Sequence, residues 1–188
     1  MIILVLGGII SSSLFSALLS IIKYGADTND VLPAITYWLM GSLSFSTSSI
    51  VWNLTIPMLS GILILIFFSK YLNALSLGDE EAKALGVNTK LLKLIIILVA
   101  TLISALSVIL AGIIGWIGLI IPHITRLIFG ADNKVILPMS ALIGAIFLLL
   151  VDNVSKLIFS FEIPIGIVTA IIGIPIFIFV LKNAKKGF

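Results

Sequence analysis

Few side chains in this sequence could do chemistry, and they lie far apart along the chain. His123 is the single histidine, cysteine is absent, and neither a G-x-x-x-x-G-K-[ST] phosphate loop nor an H-E-x-x-H metal motif occurs. Asp152 and Lys156 are four residues apart, which on a helix makes them a local ion pair. One unaccompanied imidazole makes a poor active site. We therefore interpret His123 as a helix-buried side chain satisfied by a neighbour, and we predict no catalytic residue, metal site or cofactor.

The composition indicates a membrane protein. Hydrophobic residues make up 61% of the chain and charged residues 10%, against about 25% charged in soluble domains. Mean hydropathy is +1.34. The apolar runs are continuous rather than alternating, which favours helices over a barrel. The sequence thus predicts an all-α integral membrane protein whose environment is a lipid bilayer. Its basic residues lie at the borders of the apolar runs, so we predict no nucleic-acid partner.

About six membrane-spanning helices are expected from these runs. They lie near residues 2–22, 53–69, 91–111, 119–129, 135–159 and 164–181. The run 31–41 is too short to span, since about 20 residues are needed, and it predicts an interfacial or re-entrant helix. The glycines of G-I-I-G-W-I-G, residues 112–118, mark a tight turn or very close packing. No charged n-region or cleavage-like site precedes the first run, so we do not interpret it as a signal peptide.

Serine recurs in two places. Ser12, Ser16 and Ser20 are spaced four apart with Gly8, which puts them on one helix face. Small residues at this spacing favour close helix packing, and a polar pathway lined by the serines is the alternative. The Ser/Thr-rich stretch 42–49 is interpreted as a solvated loop rather than a binding site.

The longest polar interval, residues 74–88, predicts a short surface helix over 76–86. Ser76 is the expected N-cap with Asp79 as its capping-box partner. Acidic residues in the first turn suit the helix dipole, and Gly86 is the expected left-handed residue that ends the helix. A capped helix beside the membrane suggests a docking element for an ATPase subunit. The residues assigned to this coupling role are Leu77, Gly78, Asp79, Glu80, Glu81, Ala82, Leu85 and Gly86.

Counting basic residues orients the chain. Placing the 70–93 interval in the cytoplasm puts nine of the eleven basic residues on that side, and only Lys23 and Lys156 on the other. The positive-inside rule prefers this arrangement, so the C-terminus is predicted to be cytoplasmic. The nine are Lys70, Lys83, Lys90, Lys93, Arg126, Lys134, Lys182, Lys185 and Lys186.

Four stretches carry a family resemblance, in the family's order and spacing. They are A-L-S-L-G-D-E-E-A-K-A-L-G-V-N, A-G-I-I-G-W-I-G-L-I-I-P-H-I-T-R-L, L-P-M-S-A-L-I-G-A and E-I-P-I-G-I-V-T-A-I-I-G-I-P-I-F. The chain resembles the FecCD/BtuC-type permease subunits of binding-protein-dependent ABC importers for iron chelates, haem and vitamin B12. Such a permease lies in a bacterial or archaeal cytoplasmic membrane. It works with ATP-binding cassette subunits, an extracytoplasmic substrate-binding protein and a second permease subunit.

The resemblance implies roles for particular residues. It gives Ser12, Ser16 and Ser20 more weight as translocation-path residues, makes 77–86 the coupling helix, and makes Lys156 a docking residue for the binding protein. It also implies that the sequence corresponds to the last six of ten spans, so that this chain alone is not expected to transport. The alternative function is an ion-coupled secondary transporter or channel subunit. That class requires charged residues buried within the spans, and only Asp152, Lys156 and Glu162 come close.

Overall fold

The structure is a computed structural model that describes residues 2–44, 46–157 and 162–184. The expected all-helical architecture is confirmed. The helices of the described part are α1 (Ile2–Gly25), α2 (Val31–Leu39), α3 (Ser48–Phe67), α4 (Ser69–Leu77), α5 (Asp79–Ala84), α6 (Thr89–Ala111), α7 (Ile117–Phe129), α8 (Asn133–Leu157) and α9 (Ile165–Ala184).

Four helices in the described residues are long and apolar enough to cross a membrane, namely α1, α3, α6 and α8. Helix α7 and the apolar part of α9 are shorter. Helix α3 begins five residues before the expected start at 53, because the Thr47 side chain caps it by accepting a hydrogen bond from the Ile50 N–H. The end of the predicted 135–159 span and the lysines at 185 and 186 lie outside the described residues.

The chain folds into two compact units, Met1–Leu39 and Met40–Phe188. The first contains α1 and α2. In the second, α3 packs against α6, and α7 packs against both α8 and α9. The buried centre of the second unit is formed by Val151, Ile165 and Val168, from α8 and α9.

The serine-rich stretch after Met40 is part of this second unit and differs from the expected solvated loop. Ser42 is 4% exposed, and its N–H donates to the Ala111 carbonyl at the end of α6. The Ser46 hydroxyl donates to the Leu110 carbonyl at 2.8 Å. The last carbonyls of a helix have no partner within the helix and need outside donors, which this stretch supplies. The solvated-loop prediction therefore holds only in part: Ser44 and Thr47 are exposed, Ser42 is buried, and from Ser48 onward the chain is helical.

Gly61 allows α3 and α6 to approach closely. It is buried, and an ideal Cβ built there would lie 2.7 Å from Ile103 Cγ1 and 2.9 Å from Ile103 Cδ1. Gly144 on α8 has room for a methyl group, since its ideal Cβ would lie 3.8 Å from Ile121 Cγ2. The two glycines thus form a matched pair, one required by packing and one not.

We predict that Gly61→Ala destabilises the chain and that Gly144→Ala does not. Overpacking costs about 1–3 kcal/mol, whereas replacing a helical glycine by alanine gains about 1 kcal/mol. Unfolding in mixed dodecyl maltoside and dodecyl sulfate micelles, followed by circular dichroism, measures both. Equal stability of the two variants would contradict the close α3–α6 contact.

Candidate functional site

The polar stretch forms a helix, but it begins later than the sequence suggests. Helix α5 starts at Asp79 after an N-cap at Gly78. The Ser76 hydroxyl donates instead to the Asn73 carbonyl at 2.7 Å, within α4. The chain breaks at Gly78, whose φ of 128° is open to glycine but rarely to other residues. The predicted helix over 76–86 with Ser76 as N-cap was therefore wrong, because Ser76 and Leu77 belong to α4.

The other end of α5 has the predicted glycine cap. Gly86 has a φ of +79°, its N–H donates to the Lys83 carbonyl at 2.8 Å, and the Val87 N–H donates to the Ala82 carbonyl at 3.0 Å. These two bonds form a Schellman motif, which satisfies the last carbonyls of the helix. The role predicted for Gly86 as the left-handed cap is confirmed.

One buried side chain and one ion pair attach α5 to the bundle. Ala82 is 0% exposed. Asp79 pairs with Lys93 of α6, with Lys93 Nζ at 2.6 Å from Oδ1 and 2.5 Å from Oδ2. The hydrogen bond from Lys93 holds the pKa of Asp79 below its ordinary value, so the carboxylate stays ionised at neutral pH. Helix α5 therefore rests on the first turns of α6.

The outward face of α5 combines apolar and charged side chains. Leu85, the C-cap of α5, and Leu77, the last residue of α4, are each 65% exposed. Between them Glu80 and Lys83 pair at 2.7 Å, and this contact raises the pKa of Lys83. Glu81 is exposed, and its carboxylate lies against Gly78. Exposed leucines flanking a row of charges suit contact with another protein better than contact with water alone.

A second attachment at the same end joins α4 to the turn between α7 and α8. Asn73 Nδ2 donates to Asp132 Oδ1 at 2.6 Å, and the Asn133 N–H donates to Asn73 Oδ1 at 2.8 Å. The Asn73 hydrogen bond, with a further one from the Lys134 N–H, lowers the pKa of Asp132. Sequence reasoning missed this contact because its partners are 59 residues apart. It brings the 70–93 interval and the 132–134 turn together, as the count of basic residues requires.

A polar network lies at the opposite end of α8. The expected pair of Lys156 and Asp152 is present at 2.8 Å, and Lys156 also lies 3.9 Å from Glu162. Glu162 in turn accepts a hydrogen bond from the Ser44 hydroxyl at 2.5 Å. The Lys156 side chain is 44% exposed, so it lies at the surface but has two carboxylates beside it. Asp152 Oδ1 is enclosed and has no hydrogen-bond partner among the described residues.

The remaining predicted residues lie elsewhere. In the first unit, the Ser12 hydroxyl donates to the Ile9 carbonyl at 2.9 Å and the Ser20 hydroxyl to the Ser16 carbonyl at 2.8 Å, so both bond within α1. His123 is exposed on α7, with its ring edge-on to Phe177 at 5.9 Å between centroids. The interpretation of His123 as a buried imidazole was wrong, because α7 turns that position away from the contact that Ile121 makes with Gly144 on α8. Within the described part of the chain, no group of three His, Asp or Glu side chains could hold a metal ion.

The burial of Ala82 and the Asp79–Lys93 pair can be tested by cysteine labelling, because the chain contains no native cysteine. We predict that Ala82→Cys reacts with a water-soluble maleimide roughly tenfold or more slowly than Leu85→Cys, since only local opening exposes it. Adding Asp79→Asn should speed labelling at position 82 several-fold and leave position 85 unchanged.

The ratio of the two labelling rates should not change between about pH 6 and 8. The pKa of Asp79 is lower in the folded protein than the unfolded-state value of about 3.9, so its ion pair contributes its full stability above that value. This contribution is lost only as the pH falls through the lower folded-state pKa, which is far below the range tested. Using the ratio removes the effect of thiol ionisation, which both cysteines share. Equal labelling of the two positions without Asp79→Asn would contradict the attachment of α5 to the bundle.

Comparisons with known proteins agree on one family. The model of the FecCD transport family matches residues 1–183. The molybdate import system permease protein MolB of Haemophilus influenzae is 44% identical over 184 residues, covering 98% of this chain and 55% of the relative. A Helicobacter pylori protein named "Probable iron chelatin transport system permease protein" is 40% identical over 186 residues, covering 97% of this chain and 56% of the relative.

A solved structure agrees as well. It is described as an ABC transporter of metal-chelate type in an inward-facing conformation, and it superposes with a TM-score of 0.87 at 45% identity. The match covers 94% of this chain and 57% of that chain. The chain thus spans about half the length of the relatives it matches. With a family model that extends over nearly all of its residues, this chain belongs to the FecCD transport family.

Proposed function

We propose that this chain provides membrane-spanning helices of the permease of an ABC importer. We further propose that helix α5 couples these helices to a separate ATP-binding subunit. The observation that carries this proposal is the construction of α5. It is a short helix between two glycines, with Ala82 buried and with an exposed leucine beside each glycine, Leu77 at the end of α4 and Leu85 at the C-cap of α5. A helix of this kind gains little from folding against its own chain and offers its outer face to a partner.

Its attachments suit the transmission of movement. The Asp79–Lys93 pair joins α5 to α6, α5 also packs against α4, and the Asn73–Asp132 contact joins α4 to the start of α8. A displacement of α5 by a partner would therefore reach the spanning helix α6 directly and α8 through α4. Alternating access follows if closure of the ATP-binding subunits moves α5 and thereby changes the spacing of these helices. No covalent chemistry is assigned to this chain.

Two further roles belong to the same proposal. Ser12, Ser16 and Ser20 line the translocation path, supported by their position on one face of α1. Lys156 docks an extracytoplasmic substrate-binding protein, supported by its exposure at the end of α8 opposite to the α5 end. An acidic side chain of the binding protein would replace Glu162, which is the more distant of the two carboxylates near Lys156. A second permease subunit completes the assembly.

The cargo we propose is an iron chelate or a related large metal chelate such as haem or cobalamin. Support comes from the name of the Helicobacter pylori relative and the description of the solved structure. The alternative cargo is molybdate, which is in the name of the Haemophilus influenzae relative. Both cargoes are compatible with the permease role, so the cargo needs a test of its own.

Co-purification tests the coupling role. We expect the chain to form a stable detergent complex with the ATP-binding subunit of its own system, and we expect replacement of residues 79–86 by a Gly/Ser linker to abolish that complex. A linker of equal design in place of 26–30, the turn between α1 and α2, is the control that should keep it. Retention of the complex by the 79–86 linker would contradict docking through α5. Absence of any complex with the unaltered chain would contradict the permease role itself.

Uptake tests the cargo. Cells that express the chain joined to the amino-terminal half of a full-length family member, together with the other subunits of its system, should accumulate radioactive iron supplied as a ferric chelate, and unlabelled molybdate should not compete. Uptake of molybdate alone would overturn the metal-chelate proposal and leave the coupling role unaffected. An ATP-binding subunit with a disabled phosphate loop is the control for background uptake.

A further inference from the structure

Four polar side chains contact one another in sequence at the end of α8 opposite to α5. Lys156 Nζ lies 2.8 Å from Asp152 Oδ2 and 3.9 Å from Glu162 Oε1. The same Glu162 oxygen accepts a hydrogen bond from the Ser44 hydroxyl at 2.5 Å. Lys156 therefore has one carboxylate at hydrogen-bonding distance and a second carboxylate just beyond that distance.

The nearer carboxylate, that of Asp152, is held in place. Asp152 precedes Lys156 by one turn of α8, and its side chain is 18% exposed. Its Oδ2 accepts the hydrogen bond from Lys156, whereas Oδ1 is enclosed and has no hydrogen-bond partner among the described residues. Because an enclosed carboxylate that loses its counter-ion is strongly destabilising, Lys156 should stay beside Asp152 when another group binds the lysine.

The farther carboxylate, that of Glu162, can be exchanged. Its side chain is 34% exposed, and an exposed ion pair contributes little stability. Glu162 would also keep the hydrogen bond from Ser44 after it had left the lysine. Separation from Lys156 therefore costs Glu162 much less free energy than it would cost Asp152.

The backbone next to Glu162 keeps this carboxylate close to the lysine. The Ile163 N–H donates to the Ser155 carbonyl at 3.5 Å, and the Ser155 hydroxyl donates back to the Ile163 carbonyl. Two residues further on, the Ile165 N–H donates to the Gly41 carbonyl at 2.8 Å. A group tethered this close competes at an effective concentration of about millimolar or more. An acidic group that approaches the lysine from outside must therefore compete with Glu162.

We propose that Glu162 is an internal competitor for Lys156 and lowers the affinity of the permease for its substrate-binding protein. This inference rests on the docking role proposed above for Lys156. In the undocked permease, Glu162 neutralises part of the charge of the lysine. On docking, a carboxylate of the binding protein takes the place of Glu162, and Asp152 holds the ammonium group in position.

The affinity of the binding protein for variants of the permease tests the competition. The chain is joined to the amino-terminal half of a full-length family member and assembled with its ATP-binding subunits in nanodiscs. Surface plasmon resonance then measures the Kd of the binding protein of the same system. Lys156→Gln should weaken binding. Glu162→Gln should tighten it roughly two- to fivefold, the range of an exposed ion pair, and should have no effect when Lys156→Gln is already present.

The matched control is Asp30→Asn, which removes another exposed carboxylate, at the turn between α1 and α2. It should leave the Kd unchanged, since Asp30 is not part of the contacts around Lys156. Circular dichroism of each variant confirms that the helices remain folded.

An Asp152 variant separates holding the lysine from competing for it. Asp152→Asn should weaken binding, because Lys156 can then move fully onto Glu162. Adding Glu162→Gln should restore the affinity, which would not happen if Asp152→Asn had only damaged the structure. Tighter binding by Asp152→Asn alone would overturn the role assigned to Asp152, because it would make Asp152 a second competitor.

Two results would overturn the competition itself. The first is an unchanged Kd in Glu162→Gln although Lys156→Gln weakens binding. The second is equal tightening by Glu162→Gln with and without Lys156, which would indicate general charge repulsion between Glu162 and the binding protein. If Lys156→Gln leaves the Kd unchanged, the docking role of Lys156 fails, and this result is distinct from both of the others.

Discussion

The second unit depends on how helix ends satisfy one another's backbone groups. In a bilayer core no water is available to hydrogen-bond a free N–H or C=O, and every helix leaves four of each at its ends. Here the stretch after α2 supplies partners to two helices. The carbonyls of Met40 and Gly41 accept from the Gly166 and Ile165 N–H groups at the start of α9, and the Ser42 N–H donates to the Ala111 carbonyl at the end of α6.

This arrangement explains why glycine stands at two of these positions. Gly41 has a φ of +81°, and an ideal Cβ there would lie 3.0 Å from the Ile113 carbonyl oxygen. An ideal Cβ on Gly166 would overlap the Met40 carbonyl oxygen. In both cases the obstacle is backbone rather than a flexible side chain, so neither position has room for a larger residue. These backbone hydrogen bonds can therefore form only because neither Gly41 nor Gly166 has a side chain, which lets the backbone segments approach each other closely.

Sequence reasoning succeeded where the signal is local. The apolar run 91–111 places α6 within two residues of its start, and Gly86 was identified from the end of a polar helix. It failed where two local conformations were about equally compatible with the sequence, and where an interaction joins residues that lie far apart along the chain. Ser76 is a good N-cap by type, yet the conformation of Gly78 decides the boundary. Neither the Asn73–Asp132 contact nor the burial of Ser42 has a local sequence signal, because each depends on an element about 60 residues away or more.

Glycine on both sides of α5 also affects how the proposed coupling would work. Gly78 and Gly86 adopt positive φ values, so the helix axes of α4 and α6 do not continue into α5. A movement of α5 is therefore not transmitted by bending one long helix. It must pass through the packing of α5 against α4 and α6 and through the Asp79–Lys93 pair. Since exposed ion pairs are weak and are screened by salt, the proposed coupling would rely mainly on the packing that buries Ala82, and the Asp79–Lys93 pair would mainly hold the direction in which α5 can move.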